Sequence, residues 1–488
     1  MKRFFWLLAF SCAGLVAAEA QADGGYYSGN KGAHASGRAG AFTAKADDLS
    51  AVIYNPAGLA RLDGPMIQIG NRLSYNALEF TRAPTLDWGE TGIPPYVGFA
   101  PVKNGVPWQG LEPFAGFGSN FGLEDWGFAL VAYAPPGTSR LSFPVDGGQR
   151  YLMVRREAQI LNYTANAAWK YHDDFGLGVS LQWIDVARLD YSLVIDATSF
   201  SGGHANPVSS GLDMLASVRG SDHFTFNTVV GAWYRPVSFL ELGVAGQVIP
   251  TRIHTHSTMS IKPLGEDLDE PVELRRDRKL ADDVRLSLPL PISARAGIRY
   301  LYETSRRPLF DVELDLTYET WSRAERFTLD SGDLVAGLEG QELDIGVIEI
   351  EKQWRDTVGV HLGGDYLVVP DRLTLRGGVF YESAVAKDAY ASVDFVSGRQ
   401  LGGALGASVF FGKLEAAVSY DYRRQPQVEI TEGEARAYQE VPGSQCEPPY
   451  TDTAHCHEQY LGQPSPAVNA GRYRAFNHTA TIDLMVRF

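Results

Sequence analysis

The sequence predicts an all-β fold: a transmembrane antiparallel β-barrel of about 14 strands with an N-terminal hatch inside its lumen. Three observations carry this expectation. The chain begins with an export signal, yet no later segment offers an apolar helix long enough to cross a bilayer. Its candidate strands alternate apolar and polar residues. The connections between those strands alternate short and long, as they do when one side of a barrel takes tight turns and the other takes loops.

Composition narrows the function classes. The chain has 488 residues, 43 Lys and Arg against 58 Asp and Glu, and a formal net charge of −15. Hydrophobic residues make up 45%, enough apolar surface to exclude disorder. The acidic balance excludes a nucleic-acid binder, which needs a basic face. Three cysteines exclude a disulfide-built scaffold. The surplus is in glycine and aromatics: 51 Gly, 23 Tyr, 24 Phe and 9 Trp. Tight turns and the hatch are expected to use the first, membrane girdles the second.

Residues 1–22 read as a signal peptide. Lys2 and Arg3 precede an apolar stretch from Phe4 to Ala18, then the small-residue patterns Ala18-Glu19-Ala20 and Ala20-Gln21-Ala22. About 15 apolar residues fall short of the roughly 20 that a spanning helix needs. Cys12 lies inside this stretch without a convincing lipobox. Leu401 to Gly412 is too short and too rich in glycine to span.

Residues 64–488 supply the barrel. Strands are expected near 65–80, 111–121, 126–134, 158–171, 175–195, 222–234, 238–260, 284–302, 309–328, 346–367, 372–385, 397–411, 413–423 and 476–488. The alternation is plainest where Phe310, Val312, Leu314, Leu316 and Tyr318 oppose Asp311, Glu313, Asp315, Thr317 and Glu319. Six short turns, such as His172-Asp173-Asp174 and Pro370-Asp371, interleave with long connections such as 81–110, 196–221 and 424–475. A soluble β-sandwich also alternates, but nothing requires that rhythm of it. Aromatics cluster beside the short turns, among them Trp126, Phe128, Trp169 and Tyr171, as a headgroup-level belt would place them. The last strand ends on Phe488, a terminal aromatic of the kind that barrel assembly machinery reads.

Residues 23–63 do not alternate and are rich in small side chains, which favour close packing against barrel walls. They contain Gly37-Arg38-Ala39-Gly40, the acidic pair Asp47-Asp48 and Asn55-Pro56-Ala57. These are the expected hatch or gate residues: Gly37, Arg38, Gly40, Asp47, Asp48, Asn55, Pro56 and Ala57. The alternative is a periplasmic tail.

With these motifs ahead of the first strand, a fourteen-strand count and terminal Phe488, the mature chain resembles the FadL family of outer-membrane channels. The resemblance implies passive, gated uptake of long-chain fatty acids or similar hydrophobic compounds. Aromatic hydrocarbons or alkanes could take the same route. It also implies lateral exit through the barrel wall at an inward kink in the third strand. The physical need is independent of the family. An alkyl chain gains about 0.8 kcal/mol per methylene on leaving water, so an aqueous pore is a poor path for it. Pairing is expected to fail near Pro135, Pro136 and Gly137, or alternatively at Gly127, because proline lacks a ladder donor and glycine relaxes the strand; the other reading of 134–137 is the start of the second outer loop.

Met214, Leu215 and Val218, placed by this reading on an outer loop, are candidates for ligand capture. Cys446 and Cys456 are expected to form a local disulfide after export. His455 and His457 lie beside Cys456, but no wider ligand set is spaced for zinc, so no metal and no cofactor are expected. No nucleophile elbow or other catalytic arrangement is evident, which leaves a barrel lipase and a general aqueous porin as the readings from other classes. The expected partners are a hydrophobic small molecule, outer-membrane lipid and the assembly machinery, with the chain itself a monomer in the Gram-negative outer membrane.

Overall fold

The computed structural model describes residues 30–86, 96–135, 140–196, 208, 213–264, 272–304, 307–338, 341–395, 398–438 and 467–488. The signal peptide, Pro136, Gly137, Cys446 and Cys456 lie outside the described residues.

Fourteen strands form the wall: β1 (Met66–Arg82), β2 (Trp108–Ser119), β3 (Trp126–Tyr133), β4 (Arg155–Tyr171), β5 (Phe175–Asp196), β6 (Asp213–Val237), β7 (Leu240–Gln247 and Arg252–Pro263), β8 (Asp283–Pro289 and Ser293–Thr304), β9 (Arg307–Glu319 and Arg326–Asp330), β10 (Val347–Glu351 and Thr357–Val369), β11 (Leu373–Glu382), β12 (Gln400–Phe411), β13 (Leu414–Ile430) and β14 (Gly471–Arg487). Each is antiparallel to the next. β14 closes on β1 in one unbroken register, from Met66 opposite Arg487 to Arg82 opposite Gly471. Closure removes the open edges of the first and last strands, which a wall in lipid must do because hydrocarbon offers no hydrogen bonds.

Burial along the strands is inverted relative to a soluble protein. On β9, Val312, Leu314, Leu316 and Tyr318 are 40–50% exposed on the outer face, while Asp311, Glu313 and Asp315 are at most 5% exposed inside. The same two faces occur on β14, where Ile482 and Leu484 point out and Thr481 and Asp483 point in. Tyr, Phe and Trp stand on the outer face near the short turns, with Trp126 and Phe128 stacked at 5.9 Å and Tyr302 and Phe310 at 5.1 Å.

Several boundaries differ from those the alternation predicts. β7 to β10 are each interrupted partway up, where continuous strands are expected. Pro250 and Pro291, which cannot donate to a ladder, fall in two of the breaks; a short 3-10 turn, Trp321–Ala324, fills a third. β13 runs on to Ile430 and β6 starts at Asp213, so both walls stand taller than expected. Met214, Leu215 and Val218 therefore lie on a wall strand and not on a loop. Met214 pairs with Ile195 on one side and Pro263 on the other, and is buried. The stretch 217–222 is polar and glycine-containing, which hid the strand.

Residues 30–62 sit inside the barrel as two short helices, α1 (Ala33–Gly37) and α2 (Ala51–Tyr54), and a 3-10 turn, Pro56–Arg61. From residue 30 to 60 all but Asp47 and Ile53 are buried. Phe42, Leu49, Val52, Tyr54 and Leu59 form an apolar core with Phe114, Val131, Tyr133 and Met485 of the wall. Wall glycines let the two backbones meet. A Cβ on Gly127 would stand 1.8 Å from the Leu59 carbonyl, and one on Gly178 would stand 2.4 Å from the Ala57 nitrogen. Gly363 lies as closely under Arg38. The glycine surplus thus serves the wall facing the hatch as well as the hatch and the turns.

Candidate functional site

Gly37 to Gly40 dock the hatch on the β9–β12 side. Gly37 packs on Gly406, where a Cβ on either would come within about 3.1 Å of the other backbone. Gly40 has φ of 89° and lies against the Asn30 side chain, so the turn needs glycine twice over. Between them Arg38 is fully buried. Its Nη1 donates to Asp311 and Asp365 at 2.6 Å each, its Nη2 to Glu313 at 2.9 Å, and its Nε to the Ala41 carbonyl at 2.8 Å. Only a planar guanidinium has enough fixed donors to serve three carboxylates at once. The backbone then uses the same wall. Phe42 and Thr43 N–H both donate to Asp315 at 2.8 Å, and Ala44 N–H donates to Glu313 at 2.6 Å. The barrel's inner acids therefore serve as anchors for hatch donors that would otherwise be buried unsatisfied.

Asp47 and Asp48 divide in role. Asp47 is 41% exposed at its side chain and pairs with Lys45 at 3.1 Å. Asp48 is fully buried; it accepts from Ser50 N–H at 2.8 Å and lies 3.0 Å from His34 Nδ1. His34 Nε2 reaches Glu415 of β13 at 2.6 Å, which makes His34 a bridge from hatch to wall. Burial and nearby Arg376 disfavour its charge, but Glu415 and Asp48 outweigh them and raise its pKa to about 9. Burial pulls Lys31 the other way, to about 7, despite Glu112.

The second docking point is Asn55-Pro56-Ala57. Asn55 Nδ2 donates to the Thr43 carbonyl at 2.8 Å and to Ala232 of β6 at 3.0 Å, while its Oδ1 accepts from Ala57 N–H at 3.2 Å. Pro56 opens the 3-10 turn, where a missing N–H costs nothing. Trp233 Nε1 donates to the Ala57 carbonyl at 3.0 Å, and Arg61 lies 4.0 Å over the Trp233 ring. The eight residues singled out in the sequence all lie within the segment inside the barrel, at two separate places along the wall. The wall partners of this segment, Asp365 for Arg38, Glu415 for His34, Asp483 for the Ala33 N–H and Trp233 for Ala57, were not singled out. Inward position on an alternating strand was legible for some; the pairing was not.

The hatch yields a pH prediction. The His34 bridge contributes fully below the ordinary histidine pKa and is lost as pH rises through about 9. Taking the intact protein from about pH 7 to about pH 10 should loosen the hatch and raise ion conductance, and His34→Gln should abolish that alkaline step. Lys31 works with the opposite sign in this range, so the difference between the two proteins is the quantity to read. Identical pH profiles would remove His34 from the hold.

On the wall, β3 is the shortest strand. It pairs with β4 from Trp126–Trp169 up to Tyr133–Asn162, and Gly127 is held in that ladder opposite Ala168. Beyond it, Ala134 N–H still reaches the Pro113 carbonyl at 3.0 Å, then Pro135-Pro136 ends the donors. Pairing with β4 resumes only at Leu141 opposite Arg156. Among the described residues, 157–161 of β4 have no ladder partner on that side. The Gln109 side chain bonds the Arg140 backbone where strand would otherwise continue. Ile160, within this stretch, belongs to a buried apolar cluster with Ile184, Val186, Ile253 and Leu290.

Higher in the lumen lies an aromatic box of Trp321, Phe327, Trp354 and Phe395. Lys352 pairs there with Asp394, and Arg156 lies 4.5 Å over the Phe395 ring while donating to the Asp394 carbonyl. Beside it, a cleft bounded by Leu78, Ala391, Phe395, Val428 and Tyr473 holds about 10 Å³, room for one water.

A closed fourteen-strand barrel whose lumen is filled by its own N-terminal segment defines a class of outer-membrane transport proteins. The chain belongs to the family described as "Outer membrane protein transport protein (OMPP1/FadL/TodX)", whose model matches residues 13–444. No curated protein sequence matches it. Among solved structures it is similar to a Pseudomonas aeruginosa FadL homologue, at 17% identity over 96% of this chain and 100% of that one, with TM-score 0.71. It is also similar to the toluene transporter TodX of P. putida, at 12% identity over 95% and 99%, TM-score 0.60. The toluene transporter TbuX of Ralstonia pickettii follows at 13% over 95% and 99%, TM-score 0.57. At such identities these likenesses speak for the fold.

Proposed function

We propose that the chain admits hydrophobic compounds from outside, holds them in the apolar upper lumen and releases them sideways between β2 and β4. The observation that carries this is the interrupted third strand. Among the described residues, the stretch of β4 at 157–161 has no ladder partner on the β3 side, and it brings Ile160, and with it the buried apolar cluster, to this part of the wall. The hatch below blocks the straight route to the periplasm, and a ligand leaving through the wall avoids rehydration. The packed interior means that entry must part side chains, which is how a weak-affinity path excludes water. Met214, Leu215 and Val218, now on the wall, do not form the exposed outer patch that capture would require.

The ligand class is read from the aromatic box. Two buried cations stand by apolar walls there: Lys352 pairs with the Asp394 carboxylate, while Arg156 donates to the Asp394 main-chain carbonyl and lies over the Phe395 ring. Cationic groups set among aromatic walls suit a hydrophobic ligand ending in a carboxylate better than a neutral hydrocarbon. Transport is accordingly favoured over catalysis and over a general pore.

One experiment tests both statements. Ile160→Arg should lower uptake of labelled laurate and of toluene alike by roughly tenfold, because a charge enters the apolar path. Arg156→Met should lower laurate uptake by a similar factor and leave toluene unchanged. Normal uptake in Ile160→Arg removes the lateral route. Equal loss of both ligands in Arg156→Met removes the carboxylate reading.

A further inference from the structure

The outer face of the wall where β12, β13, β14 and β1 meet reads as a vertical sequence of three surfaces. Lowest are Ile67, Ile69 and Leu73 of β1 beside Ile482 and Leu484 of β14, all exposed and apolar. Above them comes an aromatic cluster. Tyr75 stands opposite His478, which stands opposite Tyr422. Tyr420 and His478 share a hydrogen bond of 2.6 Å, and Trp108 packs edge-on against Tyr75 at 4.9 Å. The register then turns to charge. Phe476 faces Arg424, Glu79 faces both Arg474 and Lys103, and Arg472 follows two residues on. Arg399 stands two residues before Leu401, the partner of Arg424.

This order fixes the height. Apolar chains mark the hydrocarbon, the aromatic cluster marks its boundary, and the cations lie at headgroup level on the side away from Pro65 and Phe488. Among the described residues, five cations, Lys103, Arg399, Arg424, Arg472 and Arg474, stand against two carboxylates, Glu79 and Glu429. Lys103 and Arg474 share Glu79, at 3.3 and 3.7 Å, and Arg472 takes Glu429 at 3.7 Å. Glu432 and Glu434 stand further out, on the turn beyond Ile430. A local excess of positive charge runs against a chain of net charge −15.

We infer that this patch binds the phosphorylated glucosamine headgroup of lipid A, the anionic lipid of the outer leaflet, with its acyl chains lying on the apolar band below. Exposed guanidinium groups match phosphate oxygens, and the aromatic cluster seats the boundary between sugar and acyl chain. The inference concerns the lipid-facing surface and stands whichever ligand crosses the lumen.

The test uses the full mature chain purified in detergent, with lipid A as the probe and a Lys103→Gln, Arg424→Gln, Arg474→Gln triple variant. At about one kcal/mol per cation near an anionic surface, the triple should bind lipid A roughly a hundredfold more weakly. Arg372→Gln, at the turn between β10 and β11 on the opposite rim, should bind as the parent does. Dephosphorylated lipid A should bind the parent as weakly as lipid A binds the triple. Heat-modifiable migration on gels confirms that the triple retains its barrel. Parent-like binding by the folded triple, or equal binding of the dephosphorylated lipid, would overturn the inference. If the triple does not fold, Arg424→Gln alone is read, with a loss of roughly fivefold expected and no loss overturning the inference.

Discussion

Deleting Asp23–Ala57 is expected to leave a heat-resistant barrel that conducts ions and small sugars freely, with conductance up roughly tenfold or more. The barrel ladder is complete without the hatch, since β14 closes on β1 and no wall strand relies on residues 30–62 for its own backbone pairing. The deletion strips partners from Asp311, Glu313, Asp315 and Asp365. It also floods the lumen, so those acids regain hydration in place of ion pairs. A fourteen-strand wall without its filling is wide enough for water and sugars. Bilayer recordings and liposome swelling measure the change. Unchanged conductance would mean that residues 30–62 do not seal the lumen.

Arg38→Met should reach much of the same state with one side chain. Removing the guanidinium takes the ion-pair partner from buried Glu313 and leaves Asp311 and Asp365 to Arg299, Lys45 and Arg376, a loss of about 3–5 kcal/mol from hatch docking. That is roughly a hundred- to several-thousandfold in the balance between docked and undocked hatch. Arg38→Lys should recover little, because one ammonium cannot reach Asp311, Glu313 and Asp365 in the fork geometry that the guanidinium uses. Adding Glu313→Gln to Arg38→Met should recover more, since the unpaired charge goes while the amide oxygen still accepts from Ala44. Current bursts in bilayers and protease sensitivity of the hatch would report the docking. Parent-like closure in Arg38→Met would show that the cluster does not hold the hatch.

Much of the barrel was legible because lipid outside and hatch inside impose opposite demands on alternate residues. Val312 and Leu314 had to face one and Asp311 and Glu313 the other, so a period of two survived along β9. The interruptions of β7 to β10 were harder. There the wall rises above the membrane, its outer face is wet, and polar residues such as His254 and His256 weaken the contrast between faces. The upper part of β6 was lost for the same reason, and Met214 and Leu215 with it. The hatch motifs could be found by their position and small residues. Their partners could not, since Arg38 and Asp311 are joined only when the barrel closes around the segment. Wall glycines carry the same lesson. Gly127 looked like a point where β3 might yield, whereas its missing side chain makes room for the Leu59 carbonyl.

The most direct test is paired uptake in Gram-negative cells that lack their own hydrophobic-compound channel and express this chain. The account predicts rapid accumulation of labelled long-chain fatty acid with sugar permeability no higher than in control cells. Free passage of sugars without faster fatty-acid entry would contradict it.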